Sequence, residues 1–163
     1  MHDMPLDTSL PGKASERGSM HPTSIILALV QETFLQMNFQ LRIASDVETD
    51  YYNFEALNFP KGHPSRDMHD TFFLSGGYLL RTHTSNTQIH VMEQEAPPLR
   101  IISTGKCYRR DFDMTHVPMF HQFEGLFVDR QVNMTHLKNT LMVAMSKIFE
   151  QKATFECTEF YRF

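Results

Sequence analysis

Residues 99–128 constrain this chain more than any other stretch, because they read as two long strands joined by a polar loop. The first arm, Leu99–Tyr108, has the β-branched and aromatic content of a sheet. The run from Asp111 to His116 is turn-forming, and Pro118–Val128 returns as a second strand. Such a hairpin projects Arg109 and Asp111 from the end of one arm. Phe120, Gln122 and Glu124 recur at period two and therefore share one face of the other. A hydrophobic core has little use for a guanidinium, carboxylates, an amide and a flat ring on one surface. A nucleotide together with an amino acid would engage every member.

At 163 residues the chain suits one domain with a core of its own. A hydrophobic content of 41% with 21% charged residues is that of a soluble globular protein. No apolar run approaches membrane-spanning length, and the first residues lack the charged-then-apolar order of a secretory signal. The expectation is a cytoplasmic protein with no membrane partner. A net charge of -4 argues against a broad electrostatic footprint for nucleic acid, which needs clustered Lys and Arg. Cys107 and Cys157 form neither a disulfide framework nor a Cys-x-x-Cys metal pair, so both are expected to be reduced. The nine histidines include no His-x-x-x-His pair, and no metal site is expected among them.

Residues 1–20 are rich in Pro, Gly and Ser and read as a flexible lead-in, leaving 21–163 as the folded part. A helix opens at His21-Pro22, with Ile25, Ile26, Leu29, Val30 and Phe34 at helical spacing. A strand is expected over 39–47, a short helix over 50–57 and a loop over 58–67. Strands over 71–74 and 78–81 are expected to flank the hairpin signal Ser75-Gly76-Gly77. Thr84 or Ser85 suits the cap of a helix running to Glu95, which Pro97-Pro98 ends. A second strong helix covers 133–151, with Leu137, Leu141, Ala144, Met145, Ile148 and Phe149 on one side, and 153–163 alternates as a further strand.

The hairpin also carries a resemblance. Tyr108-Arg109-x-Asp111 followed by His116-x-x-x-Phe120 resembles the second signature motif of class II aminoacyl-tRNA synthetases. The segments Asp50–Pro60, His63–Asp67, Asp70–Phe73, Leu80–Ser85 and Met119–Leu126 are similar to the bacterial phenylalanyl-tRNA synthetase α-chain family, over a match from Leu10 to Glu150. The resemblance implies an α+β fold, an antiparallel β-sheet flanked by helices, in which the Pro22 helix is the first motif and builds a homodimer interface. Where that motif has Gly-Pro, this chain has Ala44-Ser45.

The implied reaction is ATP-dependent activation of phenylalanine followed by transfer to tRNA(Phe). Arg109 would bridge the ATP α-phosphate and the amino-acid carboxylate as the catalytic group. Asp111, His116 and Phe120 would complete the ATP site, with Phe120 stacked on adenine. His83, Ser85, Gln88, Gln122, Glu124 and Phe73 would hold phenylalanine, Gln122 and Glu124 taking its ammonium. Read without the resemblance, Arg109 with Asp111 is a surface ion pair, His83, Ser85 and Gln88 belong to an ordinary helix start, and Phe73 and Phe120 are core rings.

The family's third motif, its Phe-Pro-Phe-Thr-Glu-Pro segment and its N-terminal coiled coil have no counterpart here. The chain is therefore expected to be the first half of a catalytic domain, inactive alone, with the protein ligand for Mg²⁺ and most of the grip on tRNA supplied elsewhere or by a synthetase β chain. The alternative is a non-catalytic binding or assembly module that keeps half of the site.

Overall fold

A computed structural model of the chain describes Ser9, Gly12 and residues 18–67, 70–111 and 116–154. Its centre is a hairpin in which ten residues of β4 (Leu99–Tyr108) pair antiparallel with ten of β5 (Met119–Val128), from Leu99 opposite Val128 to Tyr108 opposite Met119. The Arg109 N–H donates to the Pro118 carbonyl at 3.0 Å and extends the ladder by one bond. On its other edge β4 pairs with β1 (Gln40–Arg42) in parallel, which makes it the central strand of three. The fold is α+β as expected, with this one parallel pair added to the antiparallel pairings. Residues 43–98 supply the long crossover that parallel neighbours require.

A central strand must bury both faces, and Ile101 and Ile102 are 1% and 0% exposed. On the even-numbered face, Ile102 packs with Val30 and Phe34 of α1 (Pro22–Gln36), with Phe39, and with Ala144 of α5 (Met134–Ile148). The Phe34 and Phe39 rings meet edge to face, 5.1 Å between centroids. Both helices are capped. His21 Nδ1 accepts from the Thr23 N–H ahead of Pro22, and Asn133 Oδ1 accepts from Thr135 and His136 while His136 Nδ1 returns to the Asn133 N–H. On the odd-numbered face, Ile101 and Leu99 pack against Val91 of α4 (Asn86–Gln94).

Several boundaries differ from the sequence reading. The strand expected over 39–47 divides between two sheets: β1 lies beside β4, whereas β2 (Val47–Thr49) pairs antiparallel with β3 (Tyr78–Leu80). The chain turns between them because Arg81 binds the carbonyls of Ala44 and Asp46, and Ser45 Oγ accepts from the Val47 N–H at 3.1 Å. The short helix over 50–57 is α2 (Asp50–Asn53) followed by a 3-10 turn, Glu55–Leu57. The loop over 58–67 contains α3 (Pro64–Asp67). The strand expected over 71–74 reduces to one bridge between Phe73 and Leu79 across the turn Ser75–Gly77. The strand expected over 153–163, Cys157 and most of the lead-in lie outside the described residues.

Gly105 of β4 faces Arg81, and a Cβ there would run into the guanidinium, with Cζ at 2.9 Å and Nη2 closer still. A glycine inside a strand commonly marks such an approach. Gly105→Ala is expected to lower the urea-unfolding free energy by about 1–3 kcal/mol, the usual cost of overpacking. Gly12→Ala, with no atom within 4 Å of a Cβ, serves as the neutral control.

Candidate functional site

The odd-numbered face of β4 and the even-numbered face of β5 form one surface, because the register sets Ser103 opposite Glu124, Gly105 opposite Gln122 and Cys107 opposite Phe120. Half-buried Glu124 is the focus. Its carboxylate accepts from Ser85 Oγ at 2.9 and 2.7 Å and from Gln88 Nε2 at 2.8 Å. Ser85 precedes α4 but does not cap it. Its backbone is already helical, at φ -64° and ψ -22°, so its hydroxyl reaches β5 instead. All the donors to Glu124 are neutral, and among the described residues no cation pairs with it. Beside it, Gln122 Oε1 accepts from Cys107 Sγ at 3.3 Å, which sets the rotation of the amide.

Arg109 leaves the end of β4 and folds back over the same surface. Its Nε and Nη2 donate to the Thr82 carbonyl at 3.3 Å each, and its Cζ lies 5.1 Å from the centre of the Phe120 ring. No carboxylate among the described residues pairs with it. Thr82 is itself fixed by Asn53, whose Nδ2 donates to Thr82 Oγ1 and whose Oδ1 accepts from the Thr82 N–H, both at 3.1 Å. Buried His83 bonds through Nε2 to the Asn53 carbonyl at 3.0 Å. The segment 82–85 thus links Arg109 to Glu124.

The other expected site residues are placed differently. Asp111 is half-buried at the end of the described first arm, and His116 is exposed ahead of β5. Phe73 is 70% exposed and lines a separate cavity of about 460 Å³ with Phe54, Arg66, Asp70, Thr71 and Arg110, away from Glu124. Its single bridge to Leu79 gives it no strand to hold it against the hairpin.

Two charged clusters escaped the sequence reading. Arg81, 1% exposed, pairs with Asp46 at 2.9 Å. Glu48, 6% exposed, accepts from Asn86 Nδ2 at 2.8 Å and lies 2.7 Å from His90 Nε2, with His90 stacked on Tyr52 at 3.8 Å. The mid-strand Gly105 was the available signal for Arg81. Among the described residues, no three His, Cys, Asp or Glu gather as a metal site, and no helix is long and apolar enough to cross a membrane.

The sequence matches the family described as tRNA synthetases class II core domain (F) over residues 5–163. It is 52% identical over 149 residues to the phenylalanine–tRNA ligase alpha subunit of Desulfosudis oleivorans, covering 91% of this chain and 45% of that protein. The same subunit of Desulfotalea psychrophila is 52% identical over 145 residues, covering 89% and 43%. That of Xylella fastidiosa is 48% identical over 149 residues, covering 91% and 45%. The chain therefore spans less than half the length of these relatives. Among solved structures, pyrrolysyl-tRNA synthetase from Desulfitobacterium hafniense superposes with a TM-score of 0.63 over 77% of this chain and 47% of its own, a likeness of fold at 16% identity.

Burial pushes the Cys107 thiol up from 9.0 to about 11, outweighing the opposing pull of Arg81. The folded state holds a proton that the unfolded chain gives up in the ordinary thiol range. This residue's contribution to stability is therefore constant below about pH 9 and is lost as pH rises from there through about 11. In a Cys157→Ser background, Cys107 is expected to resist a thiol-specific reagent at neutral pH until denaturant is added. Rapid labelling of the native protein would contradict the buried hydrogen bond to Gln122.

Proposed function

The chain belongs to the tRNA synthetases class II core domain (F) family, and on that premise we propose that it is the amino-acid-activating part of a phenylalanine–tRNA ligase alpha subunit. The observation that carries this reading is a pair of opposite charges on one surface that have no ion-pair partner among the described residues: the Glu124 carboxylate, which accepts from Ser85 and Gln88, and the Arg109 guanidinium, which rests on a carbonyl and a ring. A zwitterion fits both. Its ammonium takes the remaining lone pairs of Glu124, with Gln122 beside it, and its carboxylate turns toward Arg109.

In the reaction the amino-acid carboxylate attacks the α-phosphorus of ATP, the bond to the β-phosphate breaks, and pyrophosphate leaves. Arg109 would bind the carboxylate and the α-phosphate together and stabilise the negative charge that gathers as the two oxygens meet. Phe120 offers a flat face to adenine. Asp111 and His116 stand at either side of the hairpin loop, where they would meet the amine and the phosphates respectively. His83, fixed by Asn53, and Ser85 would bound the carboxylate end of the amino acid, and Phe73 would approach its side chain on ligand binding. Mg²⁺ would enter with ATP and offset the phosphate charge.

Transfer of the acyl group to tRNA(Phe) and pairing with a β chain follow from the same reading. The exposed apolar side chains Ile25 and Ile26, neighbours in the first turns of α1 and each about half accessible, favour a self-association face at the start of that helix.

Glu124→Gln in the full-length protein removes one charge-assisted contact and is expected to weaken phenylalanine binding by about 1.5–3 kcal/mol, roughly 10- to 150-fold. Binding of 3-phenylpropionate, which lacks the ammonium, should be unaffected. Equal losses for both ligands would remove Glu124 from amine recognition. Arg109→Ala is expected to abolish phenylalanine-dependent ATP–pyrophosphate exchange, and retained exchange would remove Arg109 from the chemistry.

A further inference from the structure

We propose that Arg81 is the positioning residue for Arg109: one buried guanidinium sets the end of β4 against segment 82–85 and thereby fixes the catalytic cation relative to Glu124. The inference rests on the function proposed above. Arg81 lies against Gly105 on the same face of β4, yet its side chain is only 2% exposed, and the nitrogens of its fork are spent on two segments, β4 and 44–46. Nε donates to the Lys106 carbonyl at 2.8 Å, Nη1 to the Ala44 carbonyl at 3.2 Å and Nη2 to Asp46 Oδ1 at 2.9 Å. Its main chain repeats the pattern, the N–H donating to the Asp46 carbonyl at 3.0 Å and the carbonyl accepting from the Tyr108 N–H at 2.9 Å. Tyr108 closes the ring by donating its hydroxyl to Asp46 Oδ2 at 3.0 Å. Burial first, then that bond, pushes the Tyr108 hydroxyl above its ordinary value, so it remains a donor at neutral pH.

The consequence for Arg109 is geometric. Residues 81 and 108 are pinned to each other, and one step further along both segments the Arg109 side chain docks on the Thr82 carbonyl. Three residues beyond that, Ser85 grips Glu124. The distance between the Arg109 and Glu124 charges is thus set by a short path through 82–85 whose anchored end is Arg81. A lysine cannot replace it, because a single ammonium cannot reach three acceptors spread along the planar fork. The mid-strand glycine at 105 is the space this fork requires.

The test uses the full-length protein, with its partner chain, carrying Arg81→Met or Arg81→Lys. Asp46→Ala is the companion variant, since the Asp46 side chain is 44% exposed and its removal leaves no cavity in the core. All are assayed below their own melting midpoints. The expected result is a loss of about 10²-fold in kcat for phenylalanine-dependent ATP–pyrophosphate exchange with KM for phenylalanine nearly unchanged, since a misplacement near 1 Å costs that much while the Glu124 contacts persist. Arg81→Lys should restore kcat no better than Arg81→Met, because a single ammonium does not rebuild the three bonds of the fork. A purely structural role would lower the melting temperature and leave kcat intact, and that outcome overturns the inference. A crystal structure of any variant decides the point independently of turnover: displacement of Arg109 from the Thr82 carbonyl supports it, and retention of that contact overturns it. A wild-type protein without exchange defeats the functional reading alone, because the crystallographic outcome still decides the placement of Arg109.

Discussion

β4 is hydrogen-bonded along both edges and covered on both faces, so each of its side chains has one of only two destinations. Ile102 enters an apolar layer with α1 and α5, and the odd positions from 103 onward enter a polar layer with Arg81 and the start of α4. One strand thereby ties the hydrophobic interior to the ligand surface. The energetic demands of the two layers are opposite. Ile102 gains by leaving water, whereas Ser103 and Cys107 are buried at the cost of finding partners, which they find in the Glu124 carbonyl and the Gln122 amide.

Charge is distributed over the odd-numbered face with a division of labour. Arg81 and Asp46 neutralise each other there, as Arg66 and Asp50 do elsewhere in the fold, where Arg66 Nη1 donates to both carboxylate oxygens at 3.0 and 3.1 Å. Glu124 and Arg109 are treated otherwise: among the described residues each is oriented by neutral groups. A salt bridge between them would have satisfied both and closed the surface to a zwitterion. Keeping them oriented but unneutralised is the electrostatic arrangement that a small ligand of matching polarity can complete.

The sequence revealed local elements well and non-local clamps poorly. The two arms of the hairpin were legible to within a residue because stretches rich in β-branched and aromatic residues met a polar loop, and the helix over 22–36 because His21-Pro22 opens an apolar repeat. The alternation of Phe120, Gln122 and Glu124 correctly predicted a shared face. What escaped was decided by side chains far apart in the chain. Nothing near Ala44 announces that Arg81 will pull its carbonyl inward and divide the strand there. Nothing near Ser85 distinguishes a hydroxyl that caps its own helix from one that crosses to Glu124, 39 residues away. Phe73 looked equivalent to other aromatic positions until the absence of a regular strand beneath it left its ring exposed.

The alternation of β4 has an implication for how such a domain tolerates change. Ile101 and Ile102 are neighbours in sequence yet belong to different clusters of packed residues, one with Val91 and the other with Phe34 and Ala144. Adjacent codons thus answer to separate selective demands. Repacking of the side under α1 and α5 can drift toward a new temperature optimum while the side under α4 stays fixed, and the two can be engineered in separate libraries along a single strand.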